Sequence, residues 1–256
     1  MSRSQPENEV QNNPNQTWLS WDGDKGLGLK KYNKETKTNE IIKLPFKFLV
    51  LDRLTTVTGY NEPEKIGYYS NEVRKLTDKL VVRSKNGIEA EGTWEEVKQK
   101  LGSKGADYAQ SVYIAYYEGK TLTLGNIKMK GAALGTWFTF CKENNVMSIG
   151  VTLKESKAAK KGRTEYFEPV FSKLEIKPET DNAAKEIDKV LQEYLTGYLQ
   201  GNHTTVEQSK TETKAEVTEA KNNAVAEDNE FTKAVKDDKF LSDLHGITDD
   251  NEDAPF

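Results

Sequence analysis

Apolar and β-branched residues alternate with polar ones through most of residues 18–177, and this pattern constrains the fold more than any other feature of the chain. A period of two puts successive side chains on opposite faces of a strand, so it predicts a body built mainly of half-buried β-strands. Residues 39–60 are rich in β-branched and aromatic side chains. They are long enough for one bent strand, or for two strands that break at Asp52-Arg53.

Two further stretches are predicted to be β-hairpins. Residues 111–129 would turn at Glu118-Gly119-Lys120. The segments VMSIGVTLKE and TEYFEPVFSKLEI flank residues 156–163, which we expect to form a basic hairpin loop. Pro169 cannot donate a ladder hydrogen bond, so the last strand should lie at an edge or carry a bulge.

Two helices are predicted to interrupt the strands. Thr93 and Glu96 lie three residues apart before the segment VKQKL, which is the spacing of a capping box. A second apolar face at helical spacing is formed by Leu134, Trp137, Phe138 and Cys141.

A third helix is predicted over residues 179–201, with Asp181 as its N-cap and Gly201 as its stop. Its apolar stripe consists of Ile187, Val190, Leu191, Tyr194, Leu195, Tyr198 and Leu199. This stripe indicates a helix packed on the body, or alternatively a contact between two copies of the chain. We favour packing on the body.

After Gly201 the composition changes. Residues 202–256 contain no Trp, Tyr, Met or Cys and carry 14 acidic against 6 basic residues, so this segment cannot bury enough apolar surface to fold. The domain prediction is therefore a disordered arm (1–16), a body (17–178), an amphipathic helix (179–201) and a disordered acidic tail (202–256). Short strands with inserted helices favour a partly open five-stranded barrel of the oligonucleotide-binding (OB) kind, and a β-sandwich is the alternative.

Charge is divided unequally between the two ends of the chain. Residues 1–178 carry 29 Lys and Arg against 22 Asp and Glu, a net charge of +7, whereas residues 179–256 carry 8 against 19, a net charge of −11. A basic body with an acidic tail indicates a nucleic-acid-binding protein.

The titratable residues argue against an enzyme. The two histidines, His203 and His245, both lie in the predicted tail, so the body has no imidazole for a catalytic triad or a zinc site. The one cysteine, Cys141, is expected to be a buried thiol. We therefore expect no catalytic residue, cofactor or metal. The chain also shows no signal peptide or membrane span, so we expect a cytoplasmic protein without a membrane partner.

Basic segments in the body are candidates for phosphate contacts. The richest lies in the predicted loop 156–163 and its flanks, and the others lie in KLTDKLVVRSK, in NIKMKG and at residue 53. The predicted phosphate-binding residues are Arg53, Lys79, Arg83, Lys128, Lys130, Lys154, Lys157, Lys160, Lys161 and Arg163. A solvated loop is the alternative interpretation for each segment taken alone.

Tyrosines beside these segments are candidates for stacking on bases, which contributes about 1–3 kcal/mol per base. They are Tyr60, Tyr68, Tyr69, Tyr113 and Tyr117. If Val112, Ile114 and Tyr116 face the core, Tyr113 and Tyr117 share the exposed face. In the pair Tyr68-Tyr69 one ring faces out, and the sequence does not show which. Of the tryptophans, Trp18, Trp94 and Trp137 are predicted to lie in the core, while Trp21 is undecided.

The last eight residues read DDNEDAPF. They resemble the acidic tip of single-stranded DNA-binding proteins from bacteria and their phages, which end in an Asp-rich run, a hydrophobe, Pro and Phe. In that family the tip docks replication and repair proteins. The resemblance implies that Pro255 and Phe256 anchor a partner beside an acidic run of Asp249, Asp250, Glu252 and Asp253. Ala254 and Asn251 depart from the family pattern, where a larger aliphatic residue and denser charge are usual.

Together these features predict a sequence-independent single-stranded DNA-binding protein of phage replication, recombination or repair. The body resembles the OB-fold single-strand binders of phages in architecture. The resemblance of the tip implies recruitment of a polymerase, helicase, primase or nuclease. A single-stranded RNA-binding protein or RNA chaperone is the alternative, and a protein-only adaptor is a third reading. The sequence leaves self-association open.

Overall fold

The computed structural model describes residues 12–33 and 36–207. Most of the predicted arm and tail, including the tip at residues 249–256, lies outside these ranges. The strands are β1 (Trp18–Trp21), β2 (Gly28–Asn33), β3 (Thr38–Lys43), β4 (Phe46–Asn61), β5 (Ile66–Ser70), β6 (Leu80–Ser84), β7 (Gly87–Gly92), β8 (Ala106–Glu118), β9 (Thr121–Lys130), β10 (Gly150–Lys161) and β11 (Thr164–Leu174). The helices are α1 (Trp94–Leu101), a 3₁₀ turn (Gly102–Lys104), α2 (Gly131–Glu143) and α3 (Pro178–Glu207).

The long strand β4 organises the sheet. It pairs along its length with β8, and on its other edge it pairs first with β10 and then with β5. A bulge between Val50 and Asp52 shifts the register against β8 without ending the strand. Of the two alternatives for residues 39–60, a break at Asp52-Arg53 is therefore wrong, since this position follows a bulge within β4; the chain breaks earlier, at the cis Leu44-Pro45 peptide between β3 and β4.

The described residues form one open, mixed sheet of 11 strands in the order β3-β2-β1-β9-β8-β4-β5-β6-β7, with β10 and β11 branching from β4. The prediction of a mainly β body with inserted helices is confirmed, whereas the predicted count of five strands is too low. The parallel pairing of β1 with β9 adds the β1–β3 wing to one side of the sheet. Most other pairs, including the predicted hairpin of β8 and β9, are antiparallel.

The sheet has two faces with separate cores. The inner face packs against α1 and α2, where Trp94, Trp137 and Phe138 join buried side chains of β4, β8 and β9. The outer face is partly covered by α3. Because alternate residues of β8 enter different cores, this strand is buried on both faces over most of its length.

The two inserted helices begin and pack as predicted. Thr93 and Glu96 form a capping box at the start of α1. In α2, Leu134, Trp137 and Phe138 are buried. Burial raises the pKa of the Cys141 thiol to about 12, although the neighbouring Arg53 guanidinium opposes this shift, so the thiol is a poor nucleophile.

Helix α3 packs on the body, as favoured from its apolar stripe. Leu191 and Leu195 are fully buried against Leu49, Leu51 and Leu54 of β4. The helix is longer than predicted, because it begins at Pro178, ahead of the predicted N-cap Asp181, and continues past Gly201 to Glu207. Proline suits the first turn of a helix, where its missing N–H has no acceptor within the helix.

A polar contact fixes α3 at the β4 bulge. The Asp52 carboxylate accepts two hydrogen bonds from the Arg74 guanidinium, at 3.0 and 2.8 Å, and one from the Gln192 side chain of α3, at 3.0 Å. A paired arginine and carboxylate of this geometry are strongly oriented. The bulge therefore presents a carboxylate that ties the helix to the sheet.

Leu195→Ala should lower the free energy of unfolding by about 2–5 kcal/mol, because it leaves a cavity between α3 and β4. Val190→Ala is the matched control on the same helix, since the Val190 side chain is 55% exposed. We expect its effect to stay within about 0.5 kcal/mol. Urea unfolding followed by tryptophan fluorescence measures both, and equal effects would contradict the packing of α3.

Candidate nucleic-acid interface

The part of the outer face that α3 leaves open carries exposed aromatic side chains. Tyr60 and Tyr69 are 49% and 57% exposed. The register pairs Tyr60 with Gly67 and Thr58 with Tyr69, so both rings project from the same face of β4 and β5. The Tyr60 ring lies beside Gly67: a β-carbon built at Gly67 would be 3.8 Å from this ring, an ordinary van der Waals contact.

A cation continues this face on the next strand. Arg83 of β6 is directly opposite Tyr69 and is exposed. Together, Tyr60, Tyr69 and Arg83 offer two π-faces and one guanidinium on three neighbouring strands. We call these three residues the tyrosine patch.

Between the tyrosine patch and β9 the outer face is mostly covered: Thr58 and Asp107 are half-buried, while Thr56, Ala109 and Ser111 are buried. Asp107 is opposite Thr58, and Ala109 is opposite Lys130, which is exposed at the end of β9. Burial raises the pKa of the Asp107 carboxyl, although the Lys130 ammonium opposes this shift. The strip between the tyrosine patch and β9 is therefore small and polar, with a carboxyl whose ionisation is disfavoured.

A second aromatic residue cluster begins on β1. Trp18 is adjacent to Asn126 of β9 in the parallel register, and its ring is 39% exposed. The Lys128 ammonium lies 5.7 Å from the centroid of the Trp18 ring. Burial lowers the pKa of Lys128, and the Glu72 carboxylate opposes this shift.

Glu72 organises the border between α3 and the open face. Its carboxylate accepts hydrogen bonds from the Ser111 hydroxyl and, at 2.7 Å, from the Tyr113 hydroxyl. The Lys128 ammonium lies 3.7 Å from the same carboxylate. The backbone N–H of Glu72 donates to the Tyr198 hydroxyl of α3 at 2.9 Å. The segment between β5 and β6 thus joins α3, β8 and β9.

Three predicted site residues are not part of this surface. Tyr113 is 1% exposed because α3 covers it, so the prediction that it stacks on a base is wrong. The same prediction is wrong for Tyr68, because its ring lies in the inner core and Tyr69 is the exposed member of the pair. Arg53 projects inward, where its guanidinium lies beside the Cys141 thiol of α2 and opposes the rise in the pKa of that thiol.

Two more predicted residues, Tyr117 and Lys79, lie outside the tyrosine patch. Tyr117 is exposed, but it lies at the far end of β8, where its hydroxyl is 3.4 Å from Thr180 at the start of α3. Helix α3 therefore separates Tyr117 from the tyrosine patch. Lys79 lies near Arg83 but forms an ion pair with Glu91 at 3.1 Å.

The predicted basic loop is a β-ribbon. Residues 156–161 continue β10, and β11 begins at Thr164, so only Gly162 and Arg163 form the turn. Along this ribbon Lys157 is opposite Glu168. Lys160 is opposite Glu165, with its ammonium 3.6 Å from that carboxylate, and Lys154 lies 3.9 Å from Glu155. Alternation along the strand also distributes Lys157 and Lys161 to one face and Lys160 to the other.

The ribbon is braced against the β1–β2 connection. Phe167 donates its backbone N–H to the Gly23 carbonyl at 2.8 Å, and its own carbonyl accepts from the Trp21 indole at 2.7 Å. Trp21 therefore has a structural role. Pro169 lies on β11, which pairs only with β10 among the described strands, so its predicted edge position is confirmed.

Sequence reasoning missed two exposed aromatic residues. Trp18 was predicted to lie in the core, but the parallel pairing with β9 places it on the outer face. Tyr32 of β2 is 54% exposed and was not considered. The predicted arm also ends earlier than residue 16, because Asn15 is buried and Thr17 accepts a hydrogen bond from the Asn126 backbone. The sequence did carry one signal for these two rings. Trp18 alternates with Ser20 on one strand and Lys30 with Tyr32 on the next, so each ring shares its face with a polar residue.

Comparisons of the chain with protein-family models, with curated protein sequences and with solved structures found no match. Within residues 12–33 and 36–207, no group of three or more His, Cys, Asp and Glu side chains could hold a metal ion. In the same ranges no helix is long and apolar enough to cross a membrane.

Glu72→Gln should destabilise the protein by about 1.5–3 kcal/mol. The amide has one oxygen, so it cannot accept from both Ser111 and Tyr113, and it removes the charge that faces Lys128. Glu62→Gln is the control, because Glu62 forms an exposed ion pair with Lys65 and such pairs contribute little. Thermal unfolding at neutral pH compares the two variants, and a Glu72 variant as stable as the control would argue against this network.

Proposed function

We propose that this chain is a non-enzymatic protein that binds single-stranded DNA without sequence preference and coats it during phage replication, recombination or repair. The observation that carries the proposal is the tyrosine patch, two exposed rings and a guanidinium aligned on β4, β5 and β6. Unpaired bases stack on such rings whatever their sequence, and a cation beside them attracts the phosphates.

The connectivity of β4–β9 supports an OB-type barrel as the fold within this sheet. Strand β4 leads through β5 to the β6–β7 hairpin, α1 follows, and the β8–β9 hairpin then returns to pair β8 with β4. A meander, a helix and a returning hairpin are the order of elements in OB folds, although the meander here has four strands, β4–β7, and that of an OB fold has three. In such barrels the second and third strands carry the nucleic-acid-binding face, and here these are β5 and β6, which carry Tyr69 and Arg83.

Charge supports a polyanionic ligand. Residues 1–178, which include the whole sheet, carry a net charge of +7. The β10–β11 ribbon adds Lys161 and Arg163 at its tip, while three of its lysines lie near glutamates. The ribbon therefore contributes to long-range attraction more than to a defined phosphate site. Combined charge reversal of its lysines would test this contribution.

The proposal that the tail recruits partners is supported by the sequence of its tip alone. Pro255 and Phe256 with the four acids before them retain the ending of the single-stranded DNA-binding proteins that they resemble. In the sequence, the tip follows more than 40 residues of acidic, hydrophobe-poor composition after α3. We propose that it docks a replication or recombination enzyme.

Parallel titrations with a single-stranded DNA, a single-stranded RNA and a duplex of equal length test the proposal. We expect the single-stranded DNA to bind most tightly, with an affinity that falls as salt rises because bound phosphates release counterions. Tighter binding of the RNA would favour an RNA chaperone, and absence of binding to either single strand would favour the protein-only adaptor.

Tyr69→Ala should weaken binding to oligo-dT about 5- to 150-fold, the loss of one stacked base at about 1–3 kcal/mol. Tyr69→Phe should bind like the unmodified protein, because it keeps the ring. Tyr117→Ala is the matched control, since this equally exposed tyrosine lies beyond α3. Fluorescence anisotropy with labelled oligo-dT reports all three, and an equal loss in Tyr69→Ala and Tyr117→Ala would remove the patch from the interface.

Deletion of residues 249–256 should abolish capture of partner enzymes from a phage-infected host lysate while leaving oligo-dT binding intact or tighter. The deletion removes anionic groups that compete for the basic body, so no loss of DNA affinity is expected. Phe256→Ala in the full chain is the finer variant, because it keeps every acidic side chain. A deletion variant that captures the same enzymes would disprove the role of the tip.

A further inference from the structure

The outer face carries a second pair of exposed aromatic residues that the tyrosine patch does not include. Trp18 lies on β1 and Tyr32 on β2, and they are 39% and 54% exposed. The antiparallel register pairs Leu19 with Lys31, so continuing it by one residue sets Tyr32 opposite Trp18. Both rings therefore project from the same face of adjacent strands.

This pair lies on the same side of the sheet as the tyrosine patch. Trp18 is adjacent to Asn126 on β9, Asn126 is opposite Tyr113 on β8, and Tyr113 lies on the outer face under α3. Asp107 is on the same face of β8, opposite Thr58, which in turn pairs with Tyr69. The two aromatic groups thus lie on the same face of the sheet.

We infer that Trp18 and Tyr32 form a second base-stacking subsite for the same single strand, which crosses the sheet diagonally from the tyrosine patch. This inference rests on the proposed function and extends it. Lys128 and Lys130 lie between the two subsites on β9, where they can contact phosphates. The Lys128 ammonium lies over one face of the Trp18 ring, so a phosphate can contact this cation while a base stacks on the other face.

The separation of the subsites sets the length of the ligand. Tyr69 and Trp18 are four strand spacings apart in the sheet order, and their rows are offset by six residues along β8, from Asp107 to Tyr113. At about 4.8 Å per strand and 3.3 Å per residue this is roughly 28 Å across a flat sheet. A stacked strand rises about 3.4 Å per nucleotide, so about eight nucleotides span both subsites, and a tetranucleotide does not.

The open face favours this diagonal over a path straight across the strands. Helix α3 packs over Leu51 of β4, Tyr113 of β8 and Leu124 of β9, and this blocks the direct line from Trp18 across the sheet. The remaining route runs by Thr58 and Asp107, which are half-buried, and by Lys130, which is exposed, whereas Ala109 between them is buried.

The test compares binding of dT4 and dT12 to the full chain by fluorescence anisotropy. For the double variant Trp18→Ala/Tyr32→Ala we expect the affinity for dT12 to fall about 5- to 150-fold, as for the loss of one or more stacked bases. The unmodified chain should bind dT12 more tightly than dT4, and in the double variant this difference should be much smaller. Tyr69→Ala should weaken the binding of both oligonucleotides. The control Tyr117→Ala should change neither.

A second measurement protects against misfolding of the double variant. Trp18→Phe keeps a ring, so it should bind dT12 like the unmodified chain. Because the variant has no indole at residue 18, dT12 should quench its tryptophan fluorescence less than that of the unmodified chain. Unchanged dT12 binding by the double variant, or unchanged quenching in Trp18→Phe, would overturn the second subsite. If Tyr69→Ala still weakens binding in that case, the proposed function stands. If the unmodified chain binds neither oligonucleotide, the proposed function itself fails.

Discussion

The two-sided pairing of β4 is the constraint on which the rest of the structure depends. Its register with β8 defines which side chains face inward, and its other edge is shared between β10 and β5. The bulge between Val50 and Asp52 lets one strand serve both partners, because it adds twist without ending the ladder. The same bulge presents Asp52 to Arg74 and Gln192. One local irregularity thus positions the helix that divides the outer face.

That division gives the outer face two parts. Under α3 it is an apolar core, in which Leu54, Leu191 and Leu195 have no exposure to solvent. Beyond α3 it carries the exposed rings of Trp18, Tyr32, Tyr60 and Tyr69. Glu72 marks the boundary, because its hydrogen bonds hold Tyr113 on the covered side while its charge faces Lys128 on the open side. Isolated exposed aromatics are ordinary, but several on one polar face beside cations indicate a binding surface.

The local sequence pattern predicted the secondary-structure elements well, but it predicted poorly which elements pack against one another. The capping box at Thr93, the β8–β9 turn and the edge position of Pro169 follow from short-range chemistry. The error at Tyr113 has a different origin: a period of two shows that two faces exist, but not that a helix 70 residues later covers the second one. Trp18 was misplaced for the same reason, since its exposure depends on the long-range parallel pairing of β1 with β9.

Several cations predicted to bind phosphate already have anionic neighbours. Lys128 faces Glu72, Lys79 pairs with Glu91, and Lys160 lies beside Glu165. A phosphate that contacts such a lysine replaces one anion with another, so the net gain is smaller than for an unpaired cation. Stacking on neutral rings involves no such exchange. In the proposed function, the charge of the body would therefore attract the polyanion to the surface, and the exposed aromatic residues would supply most of the affinity for a single strand over a duplex, whose bases are already stacked.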